Sequence, residues 1–324
     1  MLEHDTLKNI RNKNLSDILQ VLRKKGPCSL ARLTEQTEGG LTTVKKCVVQ
    51  AIEFGMVCEG DMADSTGGRK AKLYFLNEKY QYFLFLIVDD NKLLCRICDF
   101  CFESVAEYSV TFAFNVFVKS IYRIIDRASE KYNIGTVCLA LPCVLNNGVI
   151  MDWFYNPSAV GLDMKSDLES KYGINVVVQN DMKLTAIGEC AKNGGNISNI
   201  ATVQFGHNGV GVGETVNGNL LTGSTGFAGE VGYTDDLRKN IMGITFPAKI
   251  VRNIIIYLNP QLIVFYRSQR QNQFEKIFHA AVKGLPPYAL PEFKVSDDYF
   301  NSIIGGFVSL INKCGYYKMP EGVQ

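Results

Sequence analysis

An α/β chain in two unlike parts is predicted by three features of the sequence. Residues 1–80 hold short amphipathic helical stretches that end in a pair of extended runs. The remainder twice repeats a pattern of three strand-like runs followed by a helix. The length of 324 residues fits two domains at about 150 residues each. With 47% hydrophobic and 20% charged residues the chain can bury large cores, which excludes a disordered protein. A net charge of +2 excludes a chain that is basic throughout, but not a small basic module. Residues 1–80 carry thirteen Lys and Arg against ten Asp and Glu, so they are +3 and the remainder is −1.

In the front part, Leu15, Ile18, Leu19 and Leu22 share one face of a helix that Gly26-Pro27 stops. Ser29 can cap a second short helix with Leu30 and Leu33 inward. After the turn Glu38-Gly39-Gly40, a third helix carries Val44, Cys47, Val48, Ala51 and Ile52 on one stripe and ends at Gly55. Two strands follow, MVCEG and RKAKLYFLN, joined by DMADSTGG. Helix, helix, turn, helix and hairpin make a winged helix-turn-helix over residues 1–80. Such a module places the N-terminal end of its third helix in the major groove of double-stranded DNA. Thr42, Thr43, Lys45 and Lys46 lie on the exposed side of that end, where they can reach base edges and phosphates. Arg69 and Lys70, beside Gly67-Gly68 at the hairpin tip, can reach the DNA backbone or minor groove. A three-helix protein-interaction module would show the same periodicity; the hairpin directly after the third helix favours DNA.

From Tyr82 the pattern changes. FLFLIV, KLLCRICDF and FESVAEYSV are three successive strands, followed by a helix over 116–131 and the buried strand TVCLALP. Asn147-Gly148 marks a hairpin. A helix over 164–172, the strand NVVVQ and a helix over 181–191 come next. A second three-strand set, NIATVQF, VGVGETV and NLLTG, then turns at Asn217-Gly218. The repeat implies two related lobes, 81–192 and a shortened 193–324, with a cleft between them.

The ten cysteines sit mostly inside apolar runs, as small buried residues of a reducing compartment do. Cys95, Cys98 and Cys101 form a C-x2-C-x2-C, but on a strand residues three apart point to opposite faces, so Cys95 and Cys98 do not converge on a metal. No run reaches the ~18 apolar residues of a membrane span, and the polar N-terminus has no signal-peptide core; a cytoplasmic location is expected. In the string GHNGVGVGETVNG, the glycines 206, 209, 211 and 213 would let the backbone approach a phosphate.

Several longer strings carry a family resemblance. NLSDILQVLRKKGPCSLARLTEQTEGGLTTVKKCVVQAIEFGMVCEG with TGGRKAKLYFLN looks like the winged helix of sugar-responsive repressors. QNDMKLTAIGE looks like an Asn-Asp-x-Asn…Glu segment, and GVGVGETVNGNLLTGSTGFAGEVGY like a glycine-rich block ending Ala-Gly-Glu-x-Gly-His. YLNPQLIVFY resembles a strand that ends in two glycines. Over nearly its whole length the chain thus resembles the ROK family of repressors and sugar kinases. The resemblance implies a winged helix-turn-helix followed by a two-lobed actin-like ATPase (ribonuclease H-like) fold.

The departures shape the functional expectation. Family kinases open with an Asp-x-Gly phosphate loop, where this chain has Ile87-Val88-Asp89. The family His is Tyr233, the second Asn is Lys183, and the glycine pair is Phe265-Tyr266. DDLRKNIMGITFPAKI lacks the cysteines of the family's zinc motif. Asn180, Asp181 and Glu230 survive as candidate effector contacts. The residue matching Asp181 is the base of the family's kinases; here it can equally cap its helix. The expectation is a DNA-binding repressor of carbohydrate metabolism, not an enzyme, without metal or cofactor. Its kinase-like part would take a sugar or sugar-phosphate effector and form a homodimer or higher homo-oligomer. An active ROK-type sugar kinase and a ligand-blind DNA-binding dimer are the competing readings.

Overall fold

The computed structural model describes residues 2–62, 71–206, 209–233, 243–268 and 272–317. The front module begins with α1 (Leu2–Lys25), which buries Leu15, Ile18, Leu19 and Leu22 and stops where Gly26 turns left-handed at φ 71°. The short strand β1 (Cys28–Ser29) leads into α2 (Leu30–Gln36), whose first turn is capped by Ser29 Oγ accepting the Arg32 N–H at 3.3 Å. Helix α3 (Leu41–Glu53) buries Val44, Cys47, Val48 and Ala51. Strands β2 (Val57–Met62) and β3 (Lys72–Leu76) form the antiparallel wing, and β1 joins its edge in the order β1-β3-β2. The sequence pattern holds no sign of β1, which is too short to show a period.

The next part builds a first lobe. An antiparallel meander of β4 (Tyr82–Asp89), β5 (Lys92–Cys98) and β6 (Ser104–Thr111) leads to α4 (Phe117–Ser129) and β7 (Ile134–Leu141). A hairpin of β8 (Val144–Asn146) and β9 (Val149–Asp152) turns at Asn147 and Gly148, both at positive φ. Helix α5 (Met164–Tyr172), strand β10 (Asn175–Asn180) and helix α6 (Asp181–Lys192) complete it. The second lobe repeats the scheme: β11 (Ile200–Gly206), β12 (Gly209–Val216), β13 (Asn219–Leu220), α7 (Thr245–Leu258), β14 (Leu262–Tyr266), α8 (Phe274–Val282), β15 (Glu292–Ser296) and α9 (Tyr299–Cys314). The two sheets have the same plan, β10-β7-β4-β5-β6 and β13-β12-β11-β14-β15, with β4–β6 and β11–β13 antiparallel and the outer pairs parallel.

Strand alternation divides each sheet into two faces. On β4, Leu84, Leu86 and Val88 pack under α4 and α5, while Phe83, Phe85 and Ile87 face the other way. Cys95 lies in the first of these clusters and Cys98 in the second, so the strand separates them as its period requires. Burial raises both thiols to about 12, which leaves no thiolate at neutral pH.

The last helix of each lobe packs on the opposite sheet. Helix α6 follows the first sheet, yet its Met182 and Cys190 pack with Ile200, Leu262 and Val264 of the second. Helix α9 follows the second sheet, yet its Ile303, Phe307 and Ile311 share a core with Phe83 and Phe85 of the first. Within residues 299–314, which the expected division puts in the second lobe, Tyr299 packs with Tyr266 of the second, while Ile303, Phe307 and Ile311 share the core of the first. The same core takes in Leu15, Ile18, Leu19 and Leu22 of α1, each burial being worth about 1.5–3 kcal/mol. Arg23 of α1 adds an ordered joint: its guanidinium lies 4.3 Å from the Phe102 ring centre and donates to the Asn312 side chain at 3.0 Å. The front module is thus joined to the first lobe by a common core. No described helix is long and apolar enough to cross a membrane.

Helices α6 and α9 touch backbone to backbone. A Cβ on Gly188 would stand 2.0 Å from the Ser302 carbonyl oxygen, and one on Gly306 would stand 2.2 Å from that of Leu184. Gly188→Ala should therefore force the helices apart and cost at least about 2 kcal/mol in urea unfolding. Gly40→Ala, with nothing within 4 Å of the added carbon, should cost less than about 1 kcal/mol. A wild-type unfolding midpoint for Gly188→Ala would show that the two helices are not in close contact.

Candidate functional site

Two sites emerge, one on the front module and one between the lobes. On α3, Thr42, Thr43, Lys45 and Lys46 are all exposed, because the buried stripe Val44, Cys47, Val48 turns them outward. The first turn of α3 contains no acidic residue, so its positive end is left uncompensated and favours an anion. Arg69 and Lys70 lie outside the described residues.

The second site is a cleft of about 420 Å³ between the sheets. Its floor is the start of α6. Asn180 is the N-cap: its Oδ1 accepts the Lys183 N–H at 3.0 Å, and its Nδ2 donates to the Cys143 carbonyl at 3.1 Å. The cap expected of Asp181 is thus supplied by Asn180, one residue earlier, where the backbone is still extended. Asp181 is instead the first residue inside the helix. Its Oδ1 accepts its neighbour Met182 N–H at 2.7 Å, and its Oδ2 accepts the Tyr299 hydroxyl at 2.7 Å. Burial raises its pKa to about 6, against the pull of those two hydrogen bonds.

Glu230 faces the same cleft but is engaged from within. Lys183, whose side chain is only 2% exposed, donates to the Gly226 carbonyl and reaches Glu230 Oε1 at 3.4 Å. Burial raises the Glu230 carboxyl and the Lys183 charge opposes that rise. Burial also raises Glu214 on β12, to about 7, again against Lys183. Gly226, at φ 80°, presses on the β8–β9 hairpin so closely that a Cβ would meet the Leu145 oxygen at 1.9 Å. This glycine-rich loop therefore crosses from the second lobe to the first and is held there by Lys183.

The structure brings Asn180, Asp181 and Glu230 together around one cleft, each with a partner inside the chain. It divides the glycines expected to cradle a phosphate. Gly206 and Gly209 line the cleft. Gly211 lines it as well but also makes room for α6, and Gly213 does only the latter: a Cβ would stand 2.6 Å from the Met182 side chain at Gly211 and 1.9 Å from the Met182 carbonyl at Gly213. Where the family's phosphate loop would turn, Asp89 and Asp90 line the cleft, the latter at φ 50°. Burial first, and then the charge of Asp90, raise Asp89. Phe265 and Tyr266 are fully buried on opposite faces of β14, and the cleft is lined at that strand end by Arg267 and Ser268. Tyr233 is 53% exposed and packs against Phe227 with ring centres 5.0 Å apart.

Sequence reasoning missed Asp152, Phe154, Arg267 and Tyr299, all of which line the cleft. Tyr299 had a signal. It begins α9 as Asp181 begins α6, and the segment DYFNSIIGGF repeats the layout of NDMKLTAIGE.

The buried acid gives a pH test. The Asp181 pKa is 3.8 in its reference state and about 6 in the fold. Ionisation therefore opposes folding: the cost is absent below pH 3.8, develops between the two values and is complete above 6, on the order of 3 kcal/mol. Asp181→Asn should stabilise the protein at pH 7.5 by up to that amount, and the gain should close as the pH falls toward 4. Thermal melts of both proteins across this range measure it; no gain at pH 7.5 would contradict the assignment.

Residues 103–241 match the ROK family profile. The xylose repressor of Bacillus subtilis (strain 168) is 24% identical over 236 residues, covering 69% of this chain and 60% of that protein. The matched part thus spans 60% of that relative's length. A ROK family transcriptional regulator described as a homolog of the E. coli MLC protein superposes with a TM-score of 0.75 at 14% identity, covering 95% of this chain and 98% of that one. A ROK hexokinase from Thermus thermophilus superposes with a TM-score of 0.55 at 13% identity, over 70% and 97% of the respective chains. The two-lobed fold is therefore shared with a regulator and with a kinase, the front module falls within the stretch that superposes on the regulator, and the middle of the chain is similar to the ROK family.

Proposed function

We propose that the protein is a cytoplasmic DNA-binding repressor of carbohydrate metabolism whose kinase-like part is no longer an enzyme. The observation that carries this reading is the front module: α3 presents Thr42, Thr43, Lys45 and Lys46 at an uncompensated helix N-terminus, on a winged helix packed into the core of the first lobe. The relationship to xylose repressors supports it. Against phosphoryl transfer stand the Asp89-Asp90 turn, whose charges would repel a nucleotide's phosphates, and the hydrogen bond that engages Asp181 with Tyr299. The cleft suits a sugar or sugar-phosphate effector, for which Arg267 could meet an anionic group. A second reading, a ligand-blind DNA-binding dimer, draws support from Lys183 and Tyr299, which satisfy Glu230 and Asp181 from within.

We place homodimerisation on the C-terminal lobe. There Ile256, Tyr257 and Tyr288 are 55%, 81% and 90% exposed, and two-fold pairing would present two DNA modules to two half-sites.

Fluorescence anisotropy with a 30-bp duplex tests the DNA interface. Lys45→Ala with Lys46→Ala should weaken binding and flatten the plot of log affinity against log salt by about 0.9 for each phosphate that is no longer neutralised. An unchanged slope would remove α3 from the interface. Incubation with ATP, Mg2+ and a hexose panel should release no ADP above background; turnover abolished by Asp181→Asn would establish a kinase instead.

A further inference from the structure

We propose that α9 is a coupling rod between the cleft and the DNA module: a hydroxyl-bearing ligand that reaches Asp181 displaces the Tyr299 hydroxyl, and α9 carries that release to α1. The inference rests on the reading above, in which the front module binds DNA and the cleft takes an effector.

The two ends of one helix supply the geometry. At its start, the Tyr299 hydroxyl donates to Asp181 Oδ2 at 2.7 Å on the wall of the cleft. At its end, the Asn312 carbonyl accepts the hydroxyl of Ser16, and the Asn312 side-chain oxygen accepts Arg23 Nη1 at 3.0 Å. Ser16 and Arg23 both belong to α1. Ile311, one residue before, lies in the core shared with Leu15, Ile18, Leu19 and Leu22. The helix between these ends has 16 residues, about 24 Å at 1.5 Å per residue. It is stiffened on one side by contact with α6, where glycines let the backbones touch. A buried carboxylate, Glu189, binds it to that neighbour through Ser302 at 2.9 Å.

The chemistry at the cleft end suits exchange. Asp181 Oδ2 holds a phenolic O–H, and a ligand hydroxyl would make a bond of the same kind to the same oxygen. Breaking one bond while forming the other keeps the carboxylate satisfied, so the ligand's remaining contacts in the cleft set the balance between the two states. The phenol, once released, loses the restraint that fixes the first turn of α9.

The test is a double-mutant cycle on the full chain, read as affinity for a fluorescein-labelled duplex that the wild type selects from a random pool. Tyr299→Phe keeps the ring and removes the donor; it should lower affinity about tenfold, within the usual range of coupling between sites. Asn312→Ala unhooks Arg23 at the far end. With that hook gone, Tyr299→Phe should have little further effect, so the two changes should not add. Asp181→Asn weakens the same bond from the acceptor side and should lower affinity in the same direction, which guards against a Tyr299→Phe chain that fails to fold. The single tryptophan, Trp153, lines the cleft, so its emission reports whether each variant keeps that site intact. Wild-type affinity in both Tyr299→Phe and Asp181→Asn, or strictly additive effects in the cycle, would overturn the coupling while leaving the DNA-binding reading in place. Failure of the wild type to select any duplex would instead overturn that reading.

Discussion

Two backbones meet where Gly188 of α6 touches α9 and Gly306 of α9 touches α6, and the other elements are arranged about that meeting. The contact is reciprocal: each glycine faces the carbonyl of the residue four positions before the other glycine. A side chain at either place would part the helices by more than a methyl group, because the obstacle is main chain and cannot rotate away. From this contact α6 reaches under the second sheet and α9 under the first. Glu189, only 1% exposed, adds a polar clasp beside it, accepting from Tyr266 at 3.0 Å, Ser302 at 2.9 Å and Lys294 at 2.5 Å. Burial opposes its ionisation, yet the hydrogen bonds from Lys294 and Ser302 and the charge of Lys192 hold its pKa below the ordinary value. Such a carboxylate is costly only when left unpaired, and here four elements supply its partners.

The two halves share a plan and differ in chemistry. Their sheets have the same strand order, and their final helices begin at equivalent places, after Asn180 in one and Asp298 in the other. The next residue is Asp181 in the first half and Tyr299 in the second, and the two are hydrogen-bonded to each other. A duplicated architecture thus brings a proton acceptor against a donor. Two residues further along α6, Lys183 engages Glu230. Both acids expected to meet a ligand are engaged by side chains of the chain itself.

Local pattern made much of this legible. The 3.6-residue stripes of α1 and α3, the glycine stop at Gly26, the Asn-Gly turns and the alternation along β4 each depend on near neighbours in the chain, and together they mark out the winged helix and the doubled lobe. The strand period also separated Cys95 from Cys98. What failed depends on partners distant in sequence. Gly213 is read from spacing alone as part of a phosphate cradle, but it lies outside the cleft lining and the atom that demands a bare Cα there is Met182 O. The cap at Asn180 rather than Asp181 turns on a one-residue difference in backbone angle. The identity of Tyr299 as a cleft residue follows from α9 crossing to the first lobe, which no periodicity encodes.

The crossing of α9 also sets the order in which the protein can be made. Phe83 and Phe85 are translated long before Phe307 and Ile311, with the whole second sheet between them. Until α9 emerges from the ribosome, one face of the first sheet and the inner side of α1 have no cover. The nascent chain therefore carries an exposed aromatic surface through most of its synthesis, the condition under which chaperones are recruited and aggregation competes with folding. The front module, although translated first, reaches its final form only after the helix at the far end of the chain has docked.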